Sequence, residues 1–427
     1  MTNQKRELFA AAIAAEITPP IGARMEGYSA RKNPSNDVHD PLYASLLVLK
    51  SHDSAIAFIT LDLIAVTLSF TNRLRAALSP LLGVAEDCIL VAASHTHSGP
   101  AGFLGKIPLL SPDEDLQLQE SVLQRVIGAG IWAKNHLQPA QVGMGQGWVH
   151  GIGSNRNDPI NGLSDDEVNI LRVDRIDGQP LAVLMNYGCH PTVLGPDNLA
   201  LSADYPGAAR AELKKIYPGT IFLFTNGATG DVSTRFDRRG QGFDEVERIG
   251  GILAGEVLKQ MQLVNPIPEA ALSGRISPVK LALRPLPSLE DAQSQLNQLQ
   301  TELDNMRQAK RPHGEIRKAV TKVEGAQVQL ARIQENSGAA FVDTQVQVLR
   351  IEPLAFLTIP GEPFASTVLA IKAESPANPT VVVSYANDYR GYLPDAASIT
   401  AETYEALTSP FDETAASQLT QAAMALL

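Results

Sequence analysis

Short aliphatic runs that stop abruptly in loops rich in Gly, Pro and polar residues recur along this chain. They constrain its fold more than any other feature. The sharpest is residues 88–93, Cys-Ile-Leu-Val-Ala-Ala, which runs straight into Ser94-His95-Thr96-His97-Ser98-Gly99-Pro100. A run this short and aliphatic, closed by a Gly-Pro breaker, reads as a buried strand. Similar runs stand at 43–50, 55–62, 141–144, 167–173, 181–187, 220–224, 344–351, 354–359 and 380–385. Helical patterns at 71–82, 110–138, 243–261, 364–373 and 413–426 alternate with them. The 110–138 helix is signalled by Ser111-Pro112-Asp113-Glu114, an N-cap followed by an acidic first turn. This alternation predicts an α/β fold, a mixed β-sheet core flanked by helices.

One stretch departs from the rule. Leu289, Ala292, Leu296, Leu299, Leu303 and Met306 fall at heptad positions, and Ile316, Val323, Ala326, Leu330 and Ile333 continue the stripe after a break at Arg311-Pro312-His313-Gly314. Residues 286–336 are therefore expected to form an antiparallel helical hairpin, inserted in a single domain spanning 1–427, with His313 on the surface at its tip. A structural insertion, or a contact between copies in a homo-oligomer, suits it better than a partner-binding arm.

The charge balance excludes one class of partner. With 46 Asp and Glu against 35 Lys and Arg, the formal net charge is -11, and no basic run offsets it, so a phosphate backbone is repelled. No apolar stretch is long enough for a transmembrane segment, and no signal-peptide pattern precedes the first strands. The two cysteines, Cys88 and Cys189, exclude a disulfide framework and read as small buried hydrophobes. A cytoplasmic location is the expectation.

Polar groups at strand ends are where chemistry concentrates, because a rigid strand aims them while the loop leaves room for substrate. If the backbone stays extended, His95 and His97 share a face and offer two imidazoles to a metal or a substrate. His190-Pro191 ends the 181–187 strand, although a lone histidine there also suits a structural role. Glu362 sits in Pro360-Gly361-Glu362-Pro363, as a ligand or as a helix N-terminal acid. Asn387-Asp388-Tyr389-Arg390-Gly391-Tyr392 and Thr229-Gly230-Asp231-Val232-Ser233 follow two further strands. No Gly-x-Ser-x-Gly, Rossmann or P-loop pattern is present. Three histidines and a carboxylate at strand ends make a plausible zinc set. From the residues alone, the chain reads as a metal-dependent hydrolase without a defined substrate.

Taken in order, Met25-Glu26-Gly27-Tyr28, 39–44 (HDPLYA), Asp62, 94–100, Ser154-Asn155-Arg156-Asn157, His190-Pro191-Thr192, 202–207 (SADYPG), 230–233 (GDVS), Pro360-Gly361-Glu362 and 387–392 resemble the catalytic domain of the neutral ceramidase family. The resemblance implies one zinc ion held by His95, His190, Glu362 and the phenolate of Tyr392. It implies His97, Arg156 and Tyr404 beside the metal, where they bind the substrate amide, and Ser233 at the family's serine. That serine either attacks the carbonyl or positions substrate for a zinc-activated water. The expected activity is zinc-dependent cleavage of ceramide-like N-acyl amides, lipid or small molecule, to a fatty acid and an amine. Departures are the missing C-terminal immunoglobulin-like domain and signal peptide, Thr234-Arg235 after the serine, and the hairpin. The competing expectations are a zinc hydrolase of an ester or phosphoester and a non-catalytic scaffold using the hairpin.

Overall fold

The computed structural model describes residues 7–52, 54–104, 114–334 and 338–427. Two sheets form its centre. The larger uses β1 (Phe9–Glu16), β2 (Tyr43–Lys50), β3 (Ala55–Leu61), β4 (Ile89–Ala93), β5 (Gln138–Trp148), β6 (Glu167–Arg175), β7 (Pro180–Tyr187) and β8 (Ile221–Asn226). Their order is β8-β7-β6-β5-β1-β2-β3-β4. The two edge pairs, β3 with β4 and β7 with β8, are parallel, and the strands between them pair antiparallel, so the sheet is mixed as the sequence predicts. The smaller sheet holds β9 (Leu272–Ala282), β10 (Phe341–Ile351), β11 (Leu354–Thr358) and β12 (Thr380–Val383), in that order.

Strand alternation explains how the sheets meet. Leu47, Leu49, Ile56, Phe58, Leu90 and Ala92 point from one face of the large sheet towards Leu349, Ile351, Phe356, Val381 and Val383 of the small one. Their intervening neighbours Leu46, Val48, Ala57, Ile59, Val91 and Ala93 face the opposite way, onto α1 (Leu68–Leu82) and α2 (Leu116–Asn135). β4 and β12 are buried at every position and read as unbroken apolar runs because both their faces are covered. On the other half, α3 (Asp204–Ile216) lies on β8 and α4 (Phe243–Leu263) on β5 and β6. The small sheet's outer face packs on α7 (Ala365–Glu374).

The helix α3 is absent from the expectations above, because its opening Asp204-Tyr205-Pro206-Gly207 reads as a turn. Proline is tolerated in a helix's first turn, where its missing N–H would be unpaired anyway. Within 286–336 the chain forms α5 (Leu289–Gln308) and α6 (His313–Gln334), which pack on each other through heptad residues including Leu303, Val323 and Leu330, all buried. The predicted α2 start at Ser111-Pro112-Asp113 lies outside the described residues, and so does the His313 side chain. Short helices α8 (Ala396–Thr400) and α9 (Tyr404–Thr408) then bring the chain back against α6, and α10 (Ala415–Met424) closes the small sheet.

Phe58 and Phe356 meet edge-on between the sheets at 4.9 Å. Phe58→Ala is expected to cost about 3–5 kcal/mol of unfolding free energy in a denaturant titration, since the sheets cannot collapse onto the cavity.

Candidate metal and catalytic site

The loops after β4, β7, β11 and β12 converge at one end of the sheets. There β4 stops at Ala93, and His95 takes a left-handed backbone conformation with φ 66°. The expectation of an extended His95-Thr96-His97 segment is therefore corrected: the rings converge because the chain turns. Their Nε2 atoms lie 3.1 Å apart. The turn is held by Ser94 N–H on Leu61 O, His95 N–H on Leu63 O and Asn226 Nδ2 on Ser94 O. Thr96 points away and donates to Ser202 O at 2.7 Å.

Backbone carbonyls decide what the imidazoles present. His95 Nδ1 lies 2.6 Å from Ile64 O, and His190 Nδ1 lies 2.6 Å from Thr229 O. A carbonyl only accepts, so Nδ1 carries the proton in both rings and each Nε2 presents a bare lone pair. The His190 Nε2 lone pair faces Glu362 Oε2 at 2.9 Å, with no hydrogen bond between them. Two acceptors facing each other in a buried space call for a cation or a proton between them. The His95, His97 and His190 nitrogens all lie within 4.8 Å of one another. Neutral imidazoles and a carboxylate are the donor set that zinc takes, so these residues fit a metal ion.

The carboxylate is itself aimed. Glu362–Pro363 pairs in parallel with Tyr392–Leu393, and Glu362 N–H donates to Gly391 O. Tyr389 donates to Oε1 at 2.5 Å, and Tyr385 donates to Oε2 at 3.3 Å. Tyr385 also stacks on His95 at 3.8 Å. Hydrogen bonds of this kind behind a ligand fix its orientation. Neither tyrosine is assigned a role from the sequence, although Tyr389 stands in the 387–392 stretch picked out there.

Arg156 lies with its guanidinium 5.4 Å over the Tyr392 ring, and Tyr404 packs against the same ring at 6.1 Å. Its Nε donates to Glu405 at 2.6 Å, its Nη2 to Gly230 O at 2.7 Å, and its backbone N–H to Asp231 O at 2.7 Å. Asp231 is anchored in turn by Asn155 Nδ2 and Ala365 N–H. Burial opposes the charge on Arg156, but Tyr392, Glu405 and Glu362 outweigh it and hold its pKa well above the usual value. Burial keeps the Tyr392 hydroxyl well above the ordinary phenol range despite the pull of Arg156, so its ionisation needs a cation beside it.

His95, His97, Glu362, Tyr389, Tyr392 and Tyr404 open onto one cavity of about 780 Å³, within the size range of small-molecule sites. His190, Arg156 and Ser233 do not line it. Ser233 bridges to His190 through the backbone, and its hydroxyl accepts from Arg235 N–H at 3.4 Å. Gly27, at φ 106°, passes so close to His97 that a Cβ there would lie 2.6 Å from the ring. Cys189 is buried in the apolar core, as expected, and Tyr205 donates to its carbonyl.

The family model for neutral/alkaline non-lysosomal ceramidase, N-terminal, matches residues 12–237. The chain belongs to this family. Among curated relatives, neutral ceramidase A of Dictyostelium discoideum is 27% identical over 174 residues, 35% of this chain and 24% of that protein. Neutral ceramidase of Oryza sativa is 23% identical over 214 residues, 45% of this chain and 27% of that one. The chain thus spans about a quarter of the length of the curated relatives it matches. The solved neutral ceramidase of Pseudomonas aeruginosa superposes with a TM-score of 0.77 at 19% identity, covering 99% of this chain and 74% of that one. That likeness establishes the shared fold. The family match ends just past Ser233, so Glu362, Tyr392 and Tyr404 lie beyond it.

Burial pushes His95 and His97 well below the usual imidazole range and His190 down to about 3. Such a ring takes a proton near pH 6.5 once unfolded but not while folded. Its contribution to stability is therefore complete above about pH 6.5 and is lost as pH falls below that, for His190 towards about 3. For metal-free protein the three rings together predict a slope of up to about 4 kcal/mol per pH unit. Urea unfolding at a series of pH values between 7 and 5 should show it, and His190→Gln should remove about a third of the slope.

Proposed function

We propose that the protein is a zinc-dependent amidohydrolase that cleaves the N-acyl amide bond of ceramide-like substrates to a fatty acid and an amine. The observation that carries this reading is the pair of proton-free imidazole nitrogens, with His190 Nε2 facing the Glu362 carboxylate, beside a cavity of ligand size that His95 and Glu362 line. Family membership supports the amide bond as the target. In this reading His95, His190, Glu362 and Tyr392 hold the ion, and residues 286–336 are an insertion in the family's catalytic domain.

Bound zinc supplies Lewis acidity, which polarises the amide carbonyl and brings the pKa of water towards about 7. The chain's own residues do the rest. Arg156 keeps a permanent positive charge, and besides Glu405 and Gly230 its guanidinium bonds to the Tyr392 side chain, at the edge of the cavity. With Tyr404 it stabilises the negative charge that develops on the carbonyl oxygen, a contribution often among the largest in acyl transfer. His97 is held neutral by burial, so it resists a proton at rest and would pass one to the departing amine nitrogen only once negative charge develops on the substrate beside it. Glu405, buried and ionised beside Arg156, fixes that guanidinium in place. Ser233 sits next to His190 outside the cavity lining, and it attacks the carbonyl or positions substrate for water only if substrate reaches past that lining. Mass spectrometry of enzyme quenched during turnover separates these roles, since only attack leaves an acyl group on Ser233.

Metal analysis of purified protein is expected to find about one zinc per chain. His95→Ala should lose it, while His97→Ala should keep it and lose turnover; equal loss of zinc in both overturns the division of roles. Arg156→Ala should retain zinc and lower kcat/KM by about 10²–10³-fold in an N-acyl amide assay. Turnover of esters but of no amide would sink the amidase reading.

A further inference from the structure

Tyr385 touches the loops that carry His95 and Glu362, and it reaches the His190 loop through one neighbour, Thr229. Its backbone takes the left-handed conformation, φ 54°, which a tyrosine adopts only at a cost. In that turn its N–H donates to Gly361 O, beside Glu362, and its carbonyl accepts from Ala93 N–H at the end of β4. Ser384 N–H donates to Asn226 O at the end of β8, whose loop carries Thr229. The chain leaving β12 thus stitches together the tip of β4, the tip of β8 and the Glu362 loop.

The side chain repeats those ties. Its ring stacks on His95 at 3.8 Å, and its hydroxyl donates to Glu362 Oε2 at 3.3 Å. A carboxylate only accepts, so the single Tyr385 proton points there, and the hydroxyl accepts in turn from Thr229 Oγ1 at 2.8 Å. The backbone carbonyl of the same Thr229 receives the His190 Nδ1 proton. His190 Nε2 faces Glu362 Oε2 at 2.9 Å, so the contacts run in a ring from Thr229 through Tyr385, Glu362 and His190 back to Thr229. The gap between the two acceptors is the ring's one link without a hydrogen bond. Tyr389 holds Oε1, which leaves Oε2 as the oxygen that Tyr385 and His190 share. Thr229 and Tyr385 are both fully buried, where a hydroxyl costs free energy unless it is bonded. Valine and phenylalanine would fill nearly the same space without that cost, so the two hydroxyls call for a task.

We infer that Thr229 and Tyr385 are positioning residues for the metal ligands: the Thr229 hydroxyl, acting through Tyr385, fixes the Glu362 oxygen opposite His190. This rests on the zinc-site reading above. Because one threonine orients His190 by its carbonyl and Glu362 by its hydroxyl, the two ligands are set by a common support rather than separately. Partners of this kind, one bond behind a ligand, are typically worth about 10–100-fold in metal affinity.

The test measures zinc affinity of the full-length protein by chelator competition, a readout independent of turnover. Tyr385→Phe keeps the ring on His95 and removes the donor to Glu362, while Thr229→Val removes a hydroxyl and keeps the carbonyl. Each is expected to weaken zinc binding by about 10–100-fold. The double variant should bind about as weakly as the weaker single one, because Thr229 acts through Tyr385. Thr229→Ser restores the hydroxyl and should bind zinc within about threefold of the wild type. A Tyr385→Phe affinity within about threefold of the wild type overturns the inference while leaving the metal site intact. Losses that multiply in the double variant overturn the route from Thr229 through Tyr385. Should Tyr385→Phe fail to fold, the two threonine variants decide alone: equal zinc affinity in Thr229→Val and Thr229→Ser overturns the inference. Wild-type protein that binds no zinc overturns the zinc-dependent reading itself, and the inference with it.

Discussion

The site depends on two backbone carbonyls. Ile64 O and Thr229 O each hold a histidine Nδ1 proton, and they thereby turn the lone pairs of His95 and His190 into the same buried space as Glu362. Neither carbonyl belongs to a residue whose side chain does chemistry. Ile64 follows the end of β3, and Thr229 lies in the loop after β8, so the tautomers are set by where two strands of the large sheet stop. The parallel pairing of β3 with β4 and of β7 with β8 puts each histidine loop beside the carbonyl that orients it. The small sheet contributes the opposing charge, because Glu362 follows β11 and its tyrosine partners follow β12. The candidate metal site therefore joins the ends of both sheets.

Much of this was legible in the sequence. Strands such as 43–50 and 181–187 announce themselves because burial on both faces demands unbroken aliphatic runs, and their polar ends mark the site. His95, His190, Glu362 and Tyr392 stand in loops that carry the family's motifs in order, and the structure brings their elements together. The left-handed turn at His95 was not legible. It is imposed by Leu61 O and Leu63 O, carbonyls that a local pattern cannot see. The α3 helix was hidden by its Pro-Gly opening, and the second sheet's edge strand, β9, by its half-exposed and weakly apolar sequence. Tyr385 and Tyr389 were invisible as partners of Glu362 for a related reason: a tyrosine past a strand reads as packing until its hydroxyl has an acceptor.

Helix α6 links the periphery to the chemistry. One of its faces packs through Val323 and Leu330, another lines the cavity, and it also contacts α9, which carries Tyr404 and Glu405. Glu405 holds Arg156, and Arg156 lies over Tyr392. A heptad stripe that looks purely structural in the sequence thus abuts the elements that position the charged groups of the site. This physical continuity sets part of the 286–336 segment against the wall of the cavity.

The most direct test of the central claim is anomalous diffraction from crystals of the zinc-loaded protein, recorded above and below the zinc edge. The structure predicts one strong peak within coordination distance of His95 Nε2, His190 Nε2 and a Glu362 oxygen. A peak elsewhere, or none at that place in crystals grown with zinc, would contradict the account.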